Sequence, residues 1–393
     1  PKGPTETPTP APGEAYYEAA TCPFANKPSG VNVECGYLVV PEDRGNPGGP
    51  MIKVAVAVFK SQSSSPKPDP VIYLEGGPGG SPLRAYLKPG YFEIFFASFL
   101  AERDLILIDQ RGTGYSQPAL DCPELYVMQI EIFNQDLPAE EIEGKNEAAY
   151  SACRARLVSE GVNLAAYNSA ENAADLDDLR KLVGYDQWNL YGISYGTRLA
   201  LTTMRDHPEG LRSVIIDSVY PPQASLVVDI PANTDRALEL MFDTCAADPA
   251  CDSAYPNLRQ VFYETVAELN ENPVSITLMV PVLENVPGSG QAVPALMDGN
   301  SFLNLVFQSM YATSIIPSLP QLIYEVKNGD YGSVVQLQNQ FLQSWEAISQ
   351  GMYNSVQCYE EVSFSTPAEL EAAMQAYPDL GDSFGTPESQ FDT

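Results

Sequence analysis

Residues 188–198 read Trp188-Asn189-Leu190-Tyr191-Gly192-Ile193-Ser194-Tyr195-Gly196-Thr197-Arg198. An apolar run of β-forming residues enters a Gly-x-Ser-x-Gly turn, and a helix-forming run leaves it. The glycines let the chain turn sharply enough to hold Ser194 at a strained strand-to-helix elbow, its hydroxyl projecting from the sheet. A serine so placed reads as a nucleophile for acyl transfer to water. It needs a base, and the 393 residues contain one histidine.

Outward from the elbow, the pattern repeats. Ser169 to Val183 reads as a helix, with Ser169 as its N-cap and Arg180 and Lys181 near its end. After the elbow helix, 211–219 (LRSVIIDSV) reads as a buried strand. Upstream, 70–75 is a short apolar strand ending in Gly76-Gly77-Pro78-Gly79-Gly80-Ser81. Likewise 104–109 (DLILID) ends in Gln110-Arg111-Gly112-Thr113-Gly114-Tyr115-Ser116, and two β-rich runs at 33–41 and 51–60 come first. Near-continuous apolar strands followed by glycine loops predict a parallel sheet covered on both faces. Alternating β and α from about residue 70 to 220 is the pattern of a doubly wound α/β fold.

The glycine loop at 76–80 lacks the Lys-Ser/Thr that a phosphate-cradling loop requires. It reads instead as half of an oxyanion hole. Gly77 supplies one backbone N–H, Tyr195 the other, and the missing side chains let a substrate carbonyl approach. Asp109 and Arg111 are expected to form an ion pair bracing that loop.

Past Pro221-Pro222 the periodicity becomes helical, at 234–246, 258–269, 301–311, 319–328 and 335–349, with one extended stretch near 274–282. A mostly helical insertion after a strand reads as a cap. The expected organisation is a Pro/Thr-rich leader at 1–14, the first part of the core at 15–225, the cap at 226–349 and a return towards the core at 350–393.

Composition narrows the function classes. With 51 acidic against 21 basic residues, the net charge of −30 argues against nucleic-acid binding. No apolar run reaches membrane-spanning length, so no membrane span is expected. Of seven cysteines, Cys22 with Cys35, Cys122 with Cys153 and Cys245 with Cys251 are plausible local disulfides suited to an oxidising compartment. The alternative is reduced, buried thiols. Cys358 is left over by these pairs. Zinc-ligand spacing is absent, and neither metal nor cofactor is expected.

Three segments together carry a resemblance: Gly76-Gly77-Pro78-Gly79, Asp109-Gln110-Arg111-Gly112-Thr113-Gly114-Tyr115-Ser116 and Gly192-Ile193-Ser194-Tyr195-Gly196. In this order and at these intervals they resemble the proline iminopeptidase and tripeptidyl aminopeptidase branch of the α/β-hydrolases. The helix Asp175-Leu176-Asp177-Asp178-Leu179-Arg180 and the stretch from Gly351 to Glu361 are similar to that branch as well. The likeness covers about residues 20–225 and 350–365. It implies an α/β-hydrolase sheet with a helical cap, and a secreted or cell-surface serine aminopeptidase. Such an enzyme removes single residues or short peptides from a free amino end through an acyl-enzyme on Ser194. Carboxylates of the cap or return segment anchor the substrate ammonium in that branch, which makes Glu360 and Glu361 the candidates. Glu75 departs from the pattern, because many iminopeptidases have His before the two glycines.

His207 is thirteen residues beyond Ser194, near the end of the helix that the elbow starts. That helix carries it roughly 20 Å away, whereas a general base must lie within about 3 Å. It reads as a helix terminus, not as the base. In this hydrolase class Asp and His follow on loops after later strands, which are expected beyond the 351–361 segment. The reading is therefore the front part of a longer hydrolase, partnered by a C-terminal fragment of the same gene product that supplies Asp and His. Until then the sheet would keep an open apolar edge. The alternatives are an esterase or other acyl hydrolase of the same fold, and an inactive surface or assembly protein.

Overall fold

The computed structural model describes residues 11 and 13–380. The leader at 1–14 lies almost wholly outside them, as does the end of the 350–393 segment. In chain order the strands are β1 (Tyr16–Ala20), β2 (Val33–Pro41), β3 (Met51–Phe59), β4 (Val71–Leu74), β5 (Leu105–Ile108), β6 (Trp188–Ile193), β7 (Leu211–Asp217), β8 (Val274–Met279) and β9 (Ala292–Met297). The helices begin with α1 (Pro82–Ala85), α2 (Tyr91–Phe95), α3 (Pro123–Ile132), α4 (Ala139–Ser159), α5 (Ser169–Leu182), α6 (Tyr195–Asp206) and α7 (Leu226–Ala247). They continue with α8 (Pro249–Ala254), α9 (Leu258–Glu271), α10 (Gly299–Ser309), α11 (Leu319–Lys327), α12 (Gly332–Leu342), α13 (Gln350–Glu360) and α14 (Pro367–Gln375).

The chain divides into two units. The first (up to Cys122, Arg154–Gln223 and Glu346–Glu360) contains a seven-stranded sheet in the order β1-β2-β3-β5-β4-β6-β7. Strands β5, β4, β6 and β7 run parallel, and β1, β2 and β3 join them as antiparallel neighbours. All four residues of β4 (Val-Ile-Tyr-Leu) and of β5 (Leu-Ile-Leu-Ile) are buried, as their unbroken apolar runs require. A fully buried Leu or Ile is worth about 1.5–3 kcal/mol, so these four-residue strands are held by packing more than by length. One core gathers Ala55, Ala57 and Phe59 of β3 with Tyr73, Leu105 and Leu107 and the aromatic rings of Phe92 and Phe96. The chain runs from β4 back to β5, then across to β6 on the other side of β4. That reversal opens the crevice at the carboxyl ends of β4 and β6, the place where doubly wound sheets bind ligands.

Two local readings change. The N-cap of α5 is Asn168, not Ser169: its extended backbone lets Oδ1 accept from the Glu171 N–H at 2.9 Å. Ser169 is the first helical residue, which leaves its N–H for another acceptor. The stretch at 211–219 does form a strand, but at the sheet edge, where Ile215 and Val219 stay half exposed. Among the described residues β7 pairs with β6 alone. Strand β1 was invisible to sequence reading, its Tyr-Tyr-Glu-Ala-Ala lacking any alternation.

The second unit comprises Pro123–Cys153, Ala224–Trp345 and the chain from Glu361. Its helical core contains Leu238, Phe242, Phe262, Phe302, Val306 and Ile323, all at most 4% exposed. The expected extended stretch is half of a hairpin, β8 with β9, the latter hidden in the sequence by Pro294. Helix α7 starts eight residues before the expected 234, with Ser225 as its cap and Pro231 buried within it. The 226–349 boundary also differs. Residues 123–153 join this unit because the Tyr126 ring stacks on Trp345 at 5.0 Å and the Phe133 carbonyl accepts the Leu296 N–H. Residues after 360 join it because α14 packs on α7 and the Glu361 carboxylate accepts the Leu226 N–H at 2.8 Å.

Disulfides join Cys22 to Cys35 and Cys245 to Cys251, and Cys122 and Cys153 are also disulfide-bonded. Among the described residues no helix is long and apolar enough to cross a membrane.

Candidate active site

Strand β6 delivers its chain directly into the elbow. Ser194 sits at φ 54°, ψ −123°, a conformation that costs a non-glycine residue on the order of 1–3 kcal/mol. Two contacts hold it there. Its N–H donates to the Asp217 carbonyl at the end of β7, and its carbonyl accepts from the Thr197 hydroxyl at 2.7 Å. The flanking glycines are steric necessities: a Cβ on Gly192 would strike the Gly196 carbonyl, and one on Gly196 the Leu74 carbonyl. Tyr195 is the first residue of α6, so its N–H has no acceptor within the helix and points from the positive end of the helix dipole.

The glycine loop stands beside it by register. In the parallel pair β4–β6, Leu74 aligns with Gly192, so two residues further Gly76 comes level with Ser194. A Cβ on Gly76 would lie 2.9 Å from the Ser194 Cβ and 3.3 Å from its Oγ. Gly77 is exposed, at φ 113°, with a cis bond to Pro78. The loop is clamped on several sides. The Gly80 N–H reaches the Gly76 carbonyl at 3.1 Å, and the Gln110 amide donates to the Glu75 carbonyl at 3.0 Å. The return segment adds Ser349 N–H to the Gly79 carbonyl at 2.9 Å and receives the Ser81 N–H on the Ala347 carbonyl at 2.8 Å.

The bracing is real, but Asp109 and Arg111 do not pair with each other. The buried Asp109 carboxylate accepts from Ser81 Oγ at 2.8 Å, Leu83 N–H at 3.2 Å and Tyr115 N–H at 2.8 Å. Burial pushes its pKa up to about 6 even so, with those hydrogen bonds pulling the other way. Arg111 turns to α5, where its guanidinium meets both Asp175 oxygens at 2.8 Å and the carbonyls of Glu42 and Ala166 at 2.7 Å. The motif places its acid and base on opposite tasks, one for the loop and one for the helix.

A family model described as alpha/beta hydrolase fold matches residues 69–286, more than half of the chain. The chain belongs to the alpha/beta hydrolase family. Among curated proteins this chain is 29% identical over 195 residues to a tripeptidyl aminopeptidase of Streptomyces lividans, a match covering 48% of the chain and 36% of that protein. It is 28% identical over 234 residues to the serine protease Hip1 of Mycobacterium tuberculosis, covering 56% and 42%. It is also 24% identical over 166 residues to a proline iminopeptidase of Neisseria meningitidis, covering 42% and 36%. The matched stretches thus span well under half of those relatives.

The other sequence-derived candidates fall away from Ser194 or behind it. His207 caps the far end of α6, whose twelve residues rise about 18 Å. Its Nδ1 lies 3.5 Å from Asp177. Glu360 ends α13 and receives two donors from Ser169, the N–H at 2.6 Å and the hydroxyl at 2.8 Å. The same hydroxyl sits 2.8 Å from the Tyr195 hydroxyl, so Glu360 is tied to the underside of the elbow helix. Glu361 belongs to the second unit and holds the Leu226 N–H. Two carboxylates that no motif drew attention to stand nearer. Asp217 accepts from the Tyr191 hydroxyl at 3.1 Å. Glu75 immediately precedes the glycine loop, and the one signal for it was its departure from the iminopeptidase pattern.

Proposed function

We propose that the protein is a serine hydrolase that cleaves single residues or short peptides from the free amino end of peptides. The observation that carries this reading is the strained backbone of Ser194 with Gly76 packed directly against it. In the proposed reaction Ser194 Oγ attacks the scissile carbonyl as a base takes its proton. The developing oxyanion is received by the N–H groups of Gly77 and Tyr195, each worth about 3–4 kcal/mol of transition-state stabilisation. Collapse expels the amine, and water hydrolyses the acyl-enzyme. The relatives named as peptidases support a peptide substrate.

The base and its acid partner belong, in this proposal, to a C-terminal segment of the same gene product. The open side of β7, with its exposed apolar side chains, supports strand addition there. His207 does not serve as base, being an α6 length from the nucleophile. Export of the protein fits the disulfides. Glu360 and Glu361 enter as amine anchors only if substrate displaces the donors they now hold.

The test uses the full-length protein with aminoacyl and tripeptidyl anilides, short-chain esters and a fluorophosphonate probe. Labelling at Ser194 with turnover that requires a free α-amine is the expected result. Ester turnover indifferent to an amine would make it an esterase, and folded protein that does not label would make it an inactive member of the family.

A further inference from the structure

Glu75 is a carboxylate that the reaction as described leaves unused. Its Oε1 accepts the N–H of Gly76 at 2.9 Å. Its Oε2 is shut off from water and, among the described residues, meets no donor in good hydrogen-bond geometry, although the Tyr73 and Tyr86 hydroxyls approach the carboxyl. No basic side chain pairs with it among the described residues. Leaving an acceptor so enclosed without a well-placed donor is unfavourable, the more so if it is charged. That cost is expected at a site built for a ligand.

The surroundings indicate which ligand. Tyr73 shares the strand face of Glu75 at the i, i+2 spacing, and its hydroxyl sits 3.2 Å from that of Tyr86. Both phenols face the carboxyl, and Tyr191 on the neighbouring strand packs its ring 5.7 Å from Tyr73. A buried carboxylate beside phenol hydroxyls and without a basic partner is an arrangement that favours an ammonium ion, which brings the charge and the donors that the carboxylate lacks. The aromatic wall continues outward from Tyr86 to Phe95, which is half exposed, so the cluster is not sealed on every side. Position matters as much as chemistry. Glu75 lies one residue before Gly76, which touches Ser194, so a cation bound there sits close to the carbonyl under attack.

We propose that Glu75, with the phenols of Tyr73 and Tyr86, is the subsite that receives the substrate's protonated α-amine. The inference rests on Ser194 being the nucleophile. Glu360 has both carboxylate oxygens on Ser169, and Glu361 holds the Leu226 N–H in the second unit, whereas Glu75 directly adjoins the loop that packs on Ser194. Burial holds the Glu75 carboxyl above its usual pKa, with Tyr73, Tyr86 and Tyr191 as the titratable groups around it and no cation among them in the described residues. An arriving ammonium favours the ionised carboxyl and so lowers that pKa.

The experiment compares wild type with Glu75→Gln, Glu360→Gln and Glu361→Gln in the full-length protein. For Glu75→Gln, KM for an aminoacyl anilide is expected to rise at least tenfold more than KM for a short-chain ester. Alaninamide, titrated by calorimetry, is expected to bind at least tenfold more weakly. Wild-type affinity for alaninamide is expected to weaken as pH falls through the titration of the Glu75 carboxyl, and this dependence is expected to disappear in Glu75→Gln. Equal losses on both substrates would reduce Glu75 to loop support, and amine-specific losses in Glu360→Gln or Glu361→Gln alone would move the subsite there; either overturns the proposal. If wild type turns over no anilide, the peptidase reading has failed and alaninamide decides. Binding that Glu75→Gln weakens tenfold still supports the subsite, and absent or unaffected binding refutes it.

Discussion

Gly76→Ala separates the chemistry of the elbow from its stability. The added Cβ would lie 2.9 Å from the Ser194 Cβ, 3.2 Å from the Ile193 carbonyl oxygen and 3.3 Å from Ser194 Oγ. Comfortable carbon–carbon contact is about 3.5–4.0 Å, so loop and elbow must part by roughly 0.5–1 Å. Both are pinned, the loop by Gln110 and Ser349, the elbow by Asp217 and Thr197. A misplacement of about 1 Å between reacting groups costs on the order of 100-fold in rate, or about 2.7 kcal/mol of barrier. Stability is expected to move less. Overpacking costs about 1–3 kcal/mol, and alanine returns about 0.4–1 kcal/mol by restricting the unfolded chain. The assay is the second-order rate of fluorophosphonate labelling at Ser194 in the full-length protein, with chemical denaturation alongside. A Gly76→Ala protein that labels at the wild-type rate would show that the loop does not fix the nucleophile, and the oxyanion assignment of Gly77 would go with it.

Asp109→Asn should alter the pH dependence of stability. The folded pKa of about 6 lies above the ordinary 3.8, so the folded protein takes up a proton that the unfolded chain does not. Its contribution is fully present below about pH 3.8 and is lost as pH rises through about 6, with a ceiling of roughly 3 kcal/mol. Urea denaturation at pH 5 and 7.5 should show a smaller difference in Asp109→Asn than in wild type, and an unchanged difference would count against it. His207→Ala should leave labelling of Ser194 unchanged and shift stability by less than about 1 kcal/mol, since a single partly exposed ion pair is worth little. A loss of labelling would return His207 to the candidates for base. Gly144 lies exposed in α4 with nothing within 4 Å of its missing Cβ, so Gly144→Ala should stabilise the protein by about 0.5–1 kcal/mol, read as a higher denaturation midpoint.

How legible these features were depended on where their causes lie. Strands β4, β5 and β6 announced themselves because a strand buried on both faces must be apolar throughout, and the glycines after them because a turn or a close approach admits nothing larger. Ser194, Gly77 and Tyr195 were therefore nameable as candidates from local sequence, and the structure brings Gly76 of that loop against Ser194. The role of Arg111 was not, because its partner Asp175 is sixty-four positions away and a neighbouring acid seemed a simpler mate. The edge exposure of β7 was hidden for a related reason. Apolar composition says that a strand can be buried, while the number of its neighbours is a property of the sheet. Glu75 escaped because burial of a single oxygen leaves no periodic trace in a sequence.

The clamp on the oxyanion loop also sets a clock. The hydrogen bonds from Ser349 to Gly79 and from Ser81 to Ala347 join positions some 270 residues apart. A ribosome adding roughly 5–20 residues per second needs about 14–54 s to cross that interval. The serine elbow can be complete once Asp217 is made, 132 residues before Ser349, so for about 7–26 s of that interval the loop that must face it still lacks its distant support. The nascent chain would therefore carry Ser194 beside a loop not yet held, until the short return segment from 346 to 360 emerges.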